Sequence, residues 1–157
     1  MRIKLQVFIL VVLSFVGIQN VLSQSIKKQQ PLPLVVFNEN VNEPLSIGEL
    51  EKIKEVYGDE AESLILNRPH RLQDIKNILR NRIVYRQTQD GKILKGCPLL
   101  STVPLFDYYV PRVSRDAIFN RDTFNPLKYS FNFYSNSAFM YKVDNSNYYI
   151  LIKSQHQ

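Results

Sequence analysis

The sequence predicts an α+β fold: after an N-terminal signal peptide, two to three short helices pack on a mainly antiparallel sheet of about five strands that ends in a C-terminal aromatic meander. Three observations predict it. Apolar residues recur at helical spacing between residues 46 and 82, and the period then changes from 3.6 to 2. The last third alternates aromatic with polar side chains. Helices that run ahead of an antiparallel sheet are placed to cover its apolar face, which gives two layers.

Residues 1–23 have the layout of a secretory signal peptide. Arg2 and Lys4 precede an apolar run of 14 residues, 5–18, and Val21 and Ser23 supply the small residues that a signal peptidase reads. A membrane anchor needs about 20 apolar residues, and Gln19 and Asn20 stop this run short of that. Cleavage before Gln24 is therefore expected, with no transmembrane span afterwards. No cysteine follows the apolar run, so lipid attachment is not signalled. The Ser23-Gln24 junction resembles that of exported proteins of the Bacteroidota. That resemblance covers the leader alone and implies a periplasmic or extracellular destination, with no activity attached.

Residues 24–45 are polar, contain Pro31, Pro33 and Pro44, and read as a flexible tether with one candidate edge strand at residues 34–37. A single α+β domain is expected over residues 46–157. Ser46 stands three residues before Glu49, the capping box that opens a helix. Leu50, Ile53, Val56 and Tyr57 then form its apolar face, and Gly58 ends it. A second short helix is predicted over residues 60–67 and a third over residues 71–82, with Leu72, Ile75, Ile78 and Leu79 on one stripe. Residues 83–89 and 92–95 flank Asp90-Gly91, a strong hairpin signal. Between residues 96 and 126, Pro98, Pro104, Pro111 and Pro126 prevent long regular elements. The meander is predicted over residues 129–134, 139–144 and 148–153.

Composition narrows the function. Without Arg2 and Lys4 the chain keeps 18 basic and 14 acidic residues, and its single cysteine excludes an intramolecular disulfide. The charges are segregated: residues 39–62 carry a net −6 and residues 68–95 a net +6. The basic residues Arg71, Lys76, Arg80, Arg82 and Arg86 form a candidate site for an anionic glycan. Set against that, neighbouring helices of opposite charge can simply pair. Export argues against nucleic acid as a partner. No metal site or cofactor is indicated, because two isolated histidines and one cysteine provide no ligand cluster. The glycines form no phosphate-binding loop.

No catalytic residues are assigned. A Cys97 hydrolase with His70 or His156 as base is an alternative, weakened because Gly96-Cys97-Pro98 lacks a following long helix to favour a thiolate. The stronger cue is aromatic surplus. Of the nine Phe and nine Tyr residues, 13 follow Leu105, more than one face of a small meander fills. Phe106, Tyr108, Tyr109, Tyr134 and Tyr149 are the expected members of an exposed patch, suited to contact with a protein of the bacterial cell envelope or with carbohydrate. The favoured function is a non-catalytic binding or interaction module.

Overall fold

Ser46 and Glu49 close the expected capping box. The Glu49 N–H donates to Ser46 Oγ at 3.2 Å and the Ser46 N–H to Glu49 Oε2 at 2.8 Å. This starts helix α1, Ile47–Tyr57, which buries Ile53 and Val56. A tight 3-10 turn, Gly58–Glu60, and a π-helical turn, Glu62–Leu66, replace the second predicted helix. Helix α2, Pro69–Asn77, begins with proline at its first turn, where a missing N–H costs nothing, and runs into a second π-helical turn, Ile78–Arg82. The computed structural model describes residues 35, 37–89 and 94–156. The expected signal peptide, most of the expected tether and the expected turn at Asp90-Gly91 lie outside the described residues.

Three strands follow among the described residues: β1, Ile83–Gln87, β2, Phe139–Lys142, and β3, Tyr148–Ile152. They form one antiparallel sheet in the order β1-β3-β2. Ile83 and Phe139 both face Ile152 across the ladders, and Tyr85 and Tyr141 both face Ile150. The fold is thus α+β, with fewer strands among the described residues than expected. β1 pairs with β3; of the expected partner residues 92–95, Leu94 and Lys95 are not in a strand and the other two lie outside the described residues.

The first predicted strand of the meander is also absent. Residues 129–133 alternate buried and exposed side chains as a strand would, but their hydrogen bonds are local: Phe131 N–H to Tyr129 O at 2.7 Å and Phe133 N–H to Phe131 O at 2.9 Å. These are three-residue turns. Only a single bridge links Tyr129 to Leu105. Pro104 accepts from the Ser130 N–H but has no N–H to return, so the ladder cannot propagate.

The end of the expected tether is packed rather than free. A 3-10 turn, Glu39–Asn42, buries Val41, and Asn40 and Asn81 exchange side-chain hydrogen bonds at 2.8 and 3.0 Å. Two apolar clusters form the core. One gathers Ile53, Val56, Ala61, Ile65, Ile75, Ile78 and Leu127 under the helices. The other gathers Leu100, Val103, Phe124, Tyr129, Phe131, Val143, Ile150 and Ile152 against the sheet. Ile83 and Phe133 touch both.

Candidate binding surface

Gly58 determines how the Pro-rich connection meets the helices. Its φ of 52° and ψ of −130° suit glycine, and a Cβ there would lie 3.0 Å from Val110 Cγ2. The close approach lays residues 106–110 against the end of α1. Tyr57, the last residue of that helix, meets Phe106 at 6.0 Å and Tyr109 at 5.3 Å between ring centroids. Tyr108 stands edge-on to Tyr109 at 4.9 Å and is 80% exposed.

On its other side Tyr57 borders a concavity of about 410 Å³ that is also lined by Ile65, Arg71, Asp74, Ile75 and Tyr134. Tyr134 is 64% exposed. Burial raises the Tyr57 hydroxyl above its ordinary range, Tyr134 and Tyr109 add to the effect, and Arg71 opposes it. Asp74 is raised as well, first by burial, against the pull of His70, Arg71 and Arg82. The surface therefore combines aromatic rings with hydroxyl tips, one exposed guanidinium and a carboxylate whose charge is disfavoured.

Phe106, Tyr108, Tyr109, Tyr134 and Arg71 are thus brought together around Tyr57, but only Tyr108, Tyr134 and Arg71 are exposed; Phe106 and Tyr109, expected in an exposed patch, are half-buried by their packing on Tyr57. Helical spacing alone places Tyr57 in the helix core. The available signal was its position at the very end of a helix, next to a glycine that admits a crossing chain.

Tyr149 lies elsewhere. It is 1% exposed, and its hydroxyl accepts from the Leu94 N–H at 3.0 Å. It sits on the central strand β3 with its ring enclosed, so it cannot join an exposed patch.

The basic residues are dispersed as well. Lys76 is 8% exposed and donates to Val41 O at 3.0 Å and Glu43 O at 2.6 Å. Arg80 makes a two-pronged pair with Glu49, at 2.5 Å from Nε and 2.7 Å from the second terminal nitrogen, and also donates to Asn40 O and Pro44 O. That contact holds Glu49 at a pKa of about 2. Arg82 is buried and donates to Lys153 O at 2.9 Å, and burial lowers its pKa. Of the five, Arg71 and Arg86 are exposed, and a continuous basic face does not form on α2.

Cys97 is half-buried and His70 exposed. His156 Nε2 lies 3.0 Å from Asn136 Oδ1. Neither histidine is hydrogen-bonded to the thiol. Among the described residues no group of three or more His, Cys, Asp or Glu side chains is arranged to hold a metal ion, and no helix is long and apolar enough to cross a membrane. Compared with known proteins, the chain matches no family model, no curated protein and no solved structure.

Proposed function

We propose that this chain is a small exported binding module of the bacterial cell envelope, which works without catalysis by holding another envelope protein against the Tyr57 surface. The pattern of residues 1–23 supports export. One observation carries the binding role: Tyr108 projects into solvent at 80% exposure from a cluster of three further rings. Rings that the core does not need are otherwise an aggregation liability. Tyrosine gives a partner a large contact area and a hydroxyl while immobilising few torsions. Arg71 beside the cluster adds a cation, the other side chain enriched where interfaces hold tightly.

The test is recovery of partners from the native envelope with the full chain as bait. Tyr108→Ala with Tyr109→Ala is expected to leave circular dichroism unchanged and to lower recovery of a specific partner by about tenfold or more, since central aromatic anchors carry about 2 kcal/mol each. Equal recovery by the variant and the parent protein overturns the proposal.

A further inference from the structure

A second concavity lies on the sheet side, away from the residues just described. Its volume is about 520 Å³, within the usual span of small-molecule sites. It opens between residues 115–119 of the Pro-rich connection and the turn that joins β2 to β3, and it reaches down to the core residues Phe124, Tyr129 and Val143. A shallow dip between loops would not reach the core. Interiors are close-packed, yet here Phe124, Tyr129 and Val143 line an open concavity.

Its walls are of two kinds. Phe119 and Tyr148, both half-buried, stand 5.4 Å apart at 46° and give it flat aromatic sides. At the rim Ile118 is 84% exposed, an apolar side chain that the core does not use. Opposite them lie polar groups held in place by the protein itself. Asp144 accepts from Ser101 N–H at 2.9 Å and from Ser101 Oγ at 2.5 Å. Arg115 donates to Leu100 O at 2.9 Å and to Val103 O, and lies 5.4 Å over the Tyr129 ring. Asp116 accepts from Lys128 at 2.7 Å. The turn adds amide and hydroxyl groups at Asn145 and Ser146.

The charges select among ligands. Arg115 is the only cation among the lining residues, beside the carboxylates of Asp116 and Asp144, and two of its five N–H groups serve the carbonyls of Leu100 and Val103. With Asp116 already paired to Lys128, the remaining charges at the cavity, Arg115 and Asp144, balance, so an anion gains no net attraction. A wholly apolar ligand would strip water from a carboxylate without replacing its hydrogen bonds, at a penalty of roughly 1–3 kcal/mol. A pyranose matches both walls: one face of the ring presents C–H groups to an aromatic surface, and its hydroxyls both donate and accept.

We propose that this cavity binds a neutral mono- or disaccharide, with the C–H face of the sugar on Phe119 and Tyr148 and its hydroxyls on Asp144 and the Asn145 turn. The site is separate from the Tyr57 surface and does not depend on that surface holding a protein.

The experiment titrates the full chain, labelled for amide NMR, with maltose, cellobiose and N,N′-diacetylchitobiose, and in a parallel arm with a disaccharide that contains a uronic acid. Saturable shifts centred on residues 115–119 and 144–148 are expected with at least one neutral sugar, together with weaker binding of the uronate. Phe119→Leu keeps an apolar side chain but loses the flat face, and about a tenfold loss of affinity is expected. Ile118→Asp alters an exposed position that cannot unfold the chain, and it is expected to weaken binding in the same direction. The proposal is overturned by the absence of saturable shifts at millimolar concentration, by tighter binding of the uronate, or by affinity that both variants leave unchanged.

Discussion

Around α1 and α2, buried cations satisfy backbone carbonyls and carboxylates, whereas around β1, β2 and β3 the core is closed by ring against ring. Lys76, Arg80 and Lys128 tie the helical side together through Val41, Glu43, Glu49, Glu55 and Asp116. On the sheet side a run of contacts links Phe119, Phe124, Tyr129, Phe131 and Phe133, with centroids between 5.2 and 5.7 Å apart. The difference bears on function. Most of the positive charge that looked available for an anionic partner is consumed inside the protein, while the aromatic supply exceeds what the sheet cluster absorbs. The surplus comes to the surface at Tyr108 and Tyr134.

Arg80→Ala is the sharpest way to break this contrast. It leaves Glu49 with only the Ser46 N–H as donor, and takes the guanidinium away from the carbonyls of Asn40 and Pro44. Removing one member of a largely buried pair costs about 3–5 kcal/mol, to be read from urea unfolding. Arg86→Ala, at an exposed position on β1, is expected to change stability by less than about 0.5 kcal/mol. Equal effects would mean that Arg80 acts as a surface charge, and the distinction between the two sides would fail.

Acid separates the two sides next. Glu49 has a pKa of about 2 in the folded chain against an ordinary 4.5, chiefly through its hydrogen bond from Arg80. A carboxylate depressed in this way contributes stability that is fully present above its unfolded value and is lost as pH falls through the folded one. Stability is therefore expected to decline between about pH 4.5 and pH 2, by about 2 to 3 kcal/mol once solvent screening is allowed for. Glu49→Gln is expected to flatten that acid limb, as followed by urea midpoints across the range. A limb of unchanged slope in the variant would place the acid sensitivity elsewhere.

Gly58→Ala tests the joint between the helices and the Pro-rich connection. Its φ of 52° and the 3.0 Å approach of Val110 give an expected loss of about 1 to 2 kcal/mol, in the range for a side chain forced into a sparsely populated backbone region. Because the same contact sets Tyr109 against Tyr57, the near-ultraviolet tyrosine signal is expected to weaken along with stability. Unchanged stability would show that residues 106–110 can lift away without consequence.

What could be foreseen in the sequence follows the range of the interactions. The Ser46–Glu49 cap involves neighbours within one turn and is legible from spacing alone; the start of α2 at Pro69 is not, because the expected helix begins at Arg71 and the proline reads equally well as a break or as a first-turn residue. The alternating burial of Tyr129, Phe131 and Phe133 is legible too, yet their pairing is not, because Pro104 denies them a ladder from 25 residues away in sequence. Sheet order is likewise set at a distance: β1 and β3 pair across Tyr85 and Ile150, and no local pattern favours that partner over residues 92–95. The segregated charges announced that pairing would occur, but not that Lys76 would turn to carbonyls of the residues before α1. At the candidate surface, three aromatics close in sequence were recognisable together. Tyr57 was not, since its helical period marks it equally well as core.

Tyr149 isolates the consequence of being central. In a meander it would stand on the outer face of an edge strand, and replacing it with phenylalanine would change nothing. In the order β1-β3-β2 its ring is enclosed and its hydroxyl serves the Leu94 N–H. Tyr149→Phe removes that acceptor while keeping the ring, so the expected loss is about 1 kcal/mol, the smallest of the four effects. Amide exchange at Leu94 is expected to quicken in the variant, while β3 amides such as Ile150 keep their protection. If Leu94 exchanges at the parental rate and stability is unaltered, the hydroxyl does not hold residue 94, and the chain beyond β1 must be fixed by other contacts.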